Sequence, residues 1–189
     1  YAGIRQNNRN RLLWRDASVD GVKTGHTEAA GYCLVASAFR NGMRLISVVM
    51  GTESQISRAI ESQKLLTFGF RYFETISLYE AGDMLKQVKI WSGKHNSLRV
   101  GLTNPLILTI PKGSRDKLVA EIKLVEEIHA PIRKGDKFGT LMISGLSEEK
   151  VSVPITALNS VEEAGFFSKL IDSIQLFFLK LFDGDPLEY

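Results

Sequence analysis

Between Tyr32 and Met50 apolar positions run almost unbroken in two stretches, YCLVASAF and MRLISVVM, joined by Arg40-Asn41-Gly42. Asn-Gly accepts positive φ at both centres of a two-residue turn, so the pattern predicts a β-hairpin. Both stretches are mostly apolar, as expected of strands covered on both faces. Thr52-Glu53-Ser54-Gln55 then has the form of a capping box, with Thr52 as the cap. Ile56, Ala59, Ile60, Leu66 and Phe70 follow at near-helical spacing and predict a helix packed on the hairpin.

After about Phe73 the period changes. QVKIWSG, SLRVGL, LILTIP, KLVAEIKLV, KFGTLMI and KVSVPI are short β-type runs separated by Gly, Pro, Asn and charged turns. Such spacing predicts a small all-β sandwich with no long helix, reached through a linker over Glu74–Gly82.

The tail, FFSKLIDSIQLFFLKLFDG, returns to helical period. Phe166, Phe167, Leu170, Ile171, Ile174, Phe177, Phe178, Leu181 and Phe182 fall within an arc of about 160°. A helix of that length would be about 25 Å long, and its mid-helix charges exclude a membrane-spanning role. Two readings compete: a terminal helix docked on its own domain, or one lying in a membrane surface. Burying nine such side chains gains roughly 1.5–3 kcal/mol each, and interfacial insertion uses the whole stripe. The membrane surface is the favoured reading.

Composition changes little. The 189 residues suffice for one ample core or two modest ones, and a net charge of +3 gives no argument for nucleic acid. Residues 1–72 hold ten Lys/Arg against five Asp/Glu, a bias that suits an anionic substrate. The single cysteine, Cys33, cannot form an internal disulfide. His26, His95 and His129 are too dispersed for a zinc site, so neither metal nor cofactor is expected. The chain begins with Tyr and carries no signal peptide, so it is expected to be part of a longer product.

The candidate chemistry lies in VDGVKTGHTEAAGY, residues 19–32. A bare Lys-Thr-Gly triplet is most often a solvated lysine in a glycine-rich turn. Its context raises it, because serine acyl-enzymes place K-T-G on a sheet-edge strand beside an antiparallel partner, together with S-x-x-K and S-x-N. Both strands are expected here.

VDGVKTGHT, AGYCLVASA, GMRLISVVMG, SRAIESQKLLTFGFRYFET, LTIPKG, HAPI and FFSKLIDSI closely resemble the D-alanyl-D-alanine carboxypeptidases of the penicillin-binding protein 5 and 6 type. The resemblance covers nearly the whole chain. It implies an α/β piece of a β-lactamase/transpeptidase-like domain, then the β-sandwich, then the amphipathic helix. The corresponding boundaries are residues 1–73, 74–165 and 166–183, with 184–189 as a tail.

It also implies roles. Lys23 would share hydrogen bonds with the serine of S-x-N, Thr24 would donate to the substrate's terminal carboxylate, and Gly25 would let the substrate add as a strand. The His26 backbone N–H would be one oxyanion-hole donor, its imidazole taking no part. Arg58, otherwise a solvent-facing helix residue, would grip the free carboxylate through its guanidinium fork. The implied activity is removal of the terminal D-Ala from peptidoglycan stem peptides through an acyl-serine, with β-lactams as mimics. The implied place is the periplasmic face of the inner membrane.

The nucleophile is not found. Ser114–Lys117 and Ser147–Lys150 fit S-x-x-K, but both follow the K-T-G strand, sit beside turn residues and read as chance. No S-x-N occurs in the chain. Alone it is expected to be inactive, the front part of the catalytic domain being supplied elsewhere. An endopeptidase of the same family, one with weak β-lactamase activity, or a non-catalytic wall-associated module stay open as alternatives.

Overall fold

The computed structural model describes residue 3, residues 5–165, and residues 171, 174–177 and 179. The chain divides into two compact units, residues 1–75 with 109–113, and 76–108 with 114–189.

Unit 1 is built on a three-stranded antiparallel sheet in the order β1-β2-β3, with β1 Val19–Thr27, β2 Gly31–Arg40 and β3 Met43–Thr52. The expected hairpin is β2–β3, with Arg40 paired to Met43 and positive φ at Asn41 and Gly42. A four-residue helix α1, Leu12–Arg15, precedes β1, and helix α2, Gln55–Tyr72, follows β3. The cap of α2 differs from expectation. Ser54 is the N-cap and accepts from the Ser57 N–H at 3.0 Å, while Thr52 ends β3 and donates to the Tyr32 carbonyl. The buried stripe of α2 is Arg58, Ala59, Ser62 and Leu66; Ile56 and Ile60 face solvent.

Helix α2 covers one sheet face, where Leu34, Ala36 and Ala38 pack with Ala59, Leu66, Leu12 and Val19. The other face departs from the expected two-sided burial. Ile46, Val48 and Met50 there are 64%, 58% and 73% exposed.

Asp16 ties unit 1 together. Its carboxylate accepts from the Ser18 N–H and hydroxyl, from Arg40 Nη2 at 2.6 Å and from Gln63 Nε2 at 3.0 Å. The entry to β1, the hairpin turn and α2 therefore meet on one carboxylate. Burial raises its pKa, but the Ser18 and Gln63 hydrogen bonds and the Arg40 charge outweigh that and hold it at about 2.

The expected linker is a strand over most of its length. β4, Phe73–Tyr79, pairs with β7, Leu106–Pro111, as a two-stranded ribbon. Within unit 1 the Thr75 and Thr109 hydroxyls meet at 2.8 Å, and the Lys112 N–H donates to the Tyr72 carbonyl.

Unit 2 holds a five-stranded antiparallel sheet in the order β5-β6-β10-β9-β8. Its strands are β5 Met84–Lys89, β6 Ser97–Gly101, β8 Val119–Leu124, β9 Lys137–Ser144 and β10 Val151–Ala157. With β7, each of the six β-type runs read from the sequence overlaps a strand, β5 beginning three residues before its run. The core gathers Val88, Leu98, Val100, Ile128, Leu141 and Ile155 around the sheet. The β5–β6 hairpin meets the β8–β9–β10 meander over two residue pairs, Gly101–Thr156 and Val100–Ala157. That seam is stapled by the Thr103 and Thr156 hydroxyls at 2.7 Å.

Of the nine residues on the tail's apolar arc, Ile171, Ile174 and Phe177 are described; all three are helical and exposed. Phe166, Phe167, Leu170, Phe178, Leu181 and Phe182 lie outside the described residues. Among the described residues no helix is long and apolar enough to cross a membrane.

Candidate active site

Lys23, Thr24, Gly25 and His26 sit on β1, an edge strand of its sheet, opposite Val35, Leu34, Cys33 and Tyr32 of β2. Residues directly opposite share a face. Thr24 and His26 therefore lie on the α2 side with Leu34, and Lys23 and Gly25 lie on the open side with Cys33 and Val35. Alternation along the strand thus divides the motif between two faces around one free edge.

The individual environments follow from that division. Lys23 is exposed, and its Nζ donates to the Thr24 carbonyl at 2.6 Å. Thr24 is half-buried. The His26 ring stacks on Tyr32 with centroids 3.9 Å apart, so packing on its cross-strand neighbour occupies the imidazole. At Gly25 an added Cβ would stand 3.7 Å from Cys33 Cβ, an ordinary contact. The fold alone therefore does not require glycine there. A side chain would obstruct only what approaches from outside the sheet.

Arg58 reaches the same strand from α2. It is 3% exposed, where the residue pattern alone suggested a solvent-facing position. Nη1 donates to the Gly25 carbonyl at 3.0 Å and to the Cys33 carbonyl at 3.4 Å, while Nη2 donates to the Arg9 carbonyl at 3.4 Å. Its guanidinium carbon lies 5.6 Å from the Tyr32 ring centroid. Burial lowers its pKa, Tyr32 opposes that shift, and the like charges of Arg9 and Arg11 add to it. One planar fork thus holds the Gly25 carbonyl and the segment ahead of α1 at once.

Sequence reasoning missed that segment. Asn10 is buried; its Nδ2 donates to the Gly21 carbonyl at 3.1 Å and its Oδ1 accepts from the Leu12 N–H at 3.1 Å. The only signal was an asparagine two positions before the first residue of a helix, a common cap geometry.

The two S-x-x-K stretches offer no comparable arrangement. Ser114–Lys117 falls on a single 3₁₀ turn, Arg115–Lys117, and Ser147–Lys150 lies in the β9–β10 connection. Neither places a lysine one α-helical turn beyond a serine.

An edge strand bearing Lys-Thr-Gly, braced by a buried arginine and followed by an all-β unit, is the arrangement that the resemblance to the penicillin-binding carboxypeptidases implies. Residues 1–54 match the family described as D-alanyl-D-alanine carboxypeptidase, and residues 73–163 match the C-terminal domain of penicillin-binding protein 5. The chain is 43% identical over 180 residues to the D-alanyl-D-alanine carboxypeptidase DacA of Escherichia coli K12, covering 94% of this chain and 45% of the relative. It is 37% identical over 164 residues to DacF of Bacillus subtilis, covering 86% and 42%. Penicillin-binding protein 5 of Haemophilus influenzae superposes with a TM-score of 0.76 at 41% identity, over 86% of this chain and 48% of that one. The chain belongs to the D-alanyl-D-alanine carboxypeptidase family, of the penicillin-binding protein 5 type. It spans less than half the length of these relatives.

Proposed function

We propose that the chain forms the K-T-G wall, the β-domain and the membrane-facing tail of a serine-type D-alanyl-D-alanine carboxypeptidase. The observation that carries this reading is the free β1 edge with Arg58 fixed on the Gly25 carbonyl. A peptide can add to that edge as a further strand, with glycine leaving room for its backbone.

In this reading a serine of the complete enzyme attacks the carbonyl of the penultimate D-Ala, its proton passing to a lysine base. The terminal D-Ala leaves, and water then hydrolyses the acyl-serine. The His26 backbone N–H supplies one oxyanion donor. Lys23, on the open face, raises the positive potential where the nucleophile arrives. Thr24 donates to the terminal carboxylate, and Arg58 supplies the charge that rewards substrates ending there. An internal peptide bond offers no such charge. β-Lactams acylate the same serine as mimics of the dipeptide end.

The functional division is residues 1–73 for the catalytic wall, 74–165 for the β-domain and 166–183 for the anchor, placing the enzyme on the periplasmic face of the inner membrane. Ile171 and Ile174 are exposed, which suits contact with a lipid surface.

The test compares the complete enzyme with the 189-residue chain. The complete enzyme is expected to release D-Ala from a stem pentapeptide and to bind a fluorescent penicillin covalently; the chain alone should do neither. Covalent labelling of the chain would overturn the assignment of the nucleophile elsewhere. Deleting everything from Phe166 should release the complete enzyme from membranes with soluble-peptide activity intact. An unchanged membrane fraction would remove the anchor.

A further inference from the structure

A groove of about 390 Å³ opens beside the segment that Arg58 grips, walled by Asn8, Arg9, Arg11, Trp14, Arg15 and Gln55. From Arg5 to Arg15 the chain carries four arginines and no acid. Asp16, the first acid after them, is taken by Arg40 and Gln63. Among the described residues Arg9, Arg11 and Arg15 form no ion pair with a carboxylate. Three arginines with no carboxylate partner among the described residues therefore line one cavity, beside the first turn of α2, where the helix dipole adds positive potential.

The groove is pre-formed. Asn10, buried between Arg9 and Arg11, is bonded to Gly21 of β1 and to Leu12, so its two neighbours are held in place. A ligand meeting cations on a fixed segment loses less to ordering than one meeting free side chains. The groove's wall is also tied to the strand edge. One guanidinium, that of Arg58, donates to both the Gly25 and Arg9 carbonyls. The exposed indole of Trp14 adds an apolar face beside the charges.

We infer that this groove is an anion-binding subsite that takes carboxylates of the wall peptide on the leaving side of the scissile bond. The choice of ligand rests on the carboxypeptidase reading, in which Arg58 marks the leaving residue's carboxylate. A leaving group that is a single D-Ala ends at Arg58. One that continues into a second stem, as in a cross-link, carries further carboxylates past Arg58 to the arginines. The groove thus adds a hold on acidic, cross-linked substrate that the free pentapeptide does not use. Arginine forks suit carboxylate through paired, charge-assisted hydrogen bonds.

Trp14 makes the test direct, because the other tryptophan, Trp91, is buried. The 189-residue chain is titrated with a stem tetrapeptide bearing three free carboxylates, with the same peptide fully amidated, and with inorganic phosphate at equal ionic strength. The acidic peptide is expected to shift Trp14 emission, in the chain and in the complete enzyme alike, with an affinity that falls as salt rises. In the exposed-site double variant Arg11→Gln/Arg15→Gln its Kd should rise at least ~10-fold. An unchanged Kd in the variant, or equal binding of the amidated peptide, overturns the subsite. Phosphate binding as tightly as the peptide overturns the wall-peptide assignment. The parent reading is judged separately: a wild-type enzyme acylated by penicillin, with peptide binding indifferent to the two substitutions, keeps the carboxypeptidase and loses the groove.

Discussion

Alanine at position 58 is expected to lower kcat/KM of the complete enzyme for a D-Ala-D-Ala peptide by about 10- to 100-fold, the range set by losing charge-assisted hydrogen bonds. Two separable effects contribute. The buried guanidinium holds the Gly25 carbonyl and the Arg9 carbonyl, so its loss loosens the strand edge and slows reaction with any substrate. In the proposed mechanism it also faces the terminal carboxylate, and that effect vanishes for a substrate whose carboxyl is esterified. Turnover of the free acid should therefore fall further than acylation by the ester. Arg58→Lys keeps the charge but cannot bridge two carbonyls with one compact ammonium. It should recover part of the free-acid preference while leaving the shared loss in place. Equal losses on both substrates would leave Arg58 a positioning residue and end the clamp.

The second large effect is on stability. Asp16→Asn is expected to destabilise unit 1 by about 2 kcal/mol at neutral pH, following from a carboxyl held at a pKa of about 2 against an ordinary value of 3.8. The sign is that of a depressed carboxylate. The unfolded chain takes up the proton near pH 4 and the folded chain only near pH 2. The contribution is complete above about pH 5 and disappears as pH falls toward 2. Denaturant unfolding of wild type and variant should give free energies that differ at pH 7 and converge near pH 2. A gap that persists at the lowest pH would show that the variant acts through packing and not through the charge.

Much of the architecture was legible because it rests on short-range rules. Asn41-Gly42 announced the β2–β3 hairpin, and Gly, Pro and charged turns separated the six runs that became strands. What failed did so where a rule had competitors. Thr52 and Ser54 both had cap chemistry, and strand pairing of Thr52 with Tyr32 left the cap to Ser54. Ile56 and Ile60 had the right period, yet Ala59, Ser62 and Leu66 took the sheet-facing stripe. Phe73–Tyr79 looked like a linker because its partner, β7, lies beyond two intervening strands, out of reach of local patterning.

The site was legible by a different route. Lys23 to His26 and Arg58 came from resemblance, since three residues of K-T-G are too few to stand alone. The burial of Arg58 was hidden by its helical surroundings, which pointed to solvent. Asn10 carried no apolar signal, and the arginines around it read only as a diffuse basic bias until the loop brought them to one cavity.

The two-pair seam between β6 and β10 has a consequence for motion. Thr156 and Gly101 are 55 positions apart, so their pairing closes a long loop, whereas the strands on each side are joined by shorter connections. Sub-global opening of unit 2 has its cheapest line along that seam, freeing a β5–β6 flap from a β8–β9–β10 block. In native-state hydrogen exchange the Leu158 amide, which donates to the Arg99 carbonyl across the seam, would be expected to exchange through a smaller opening than Leu141 or Ile143, deep in the meander, and the β-domain would behave as two cooperative blocks within one core.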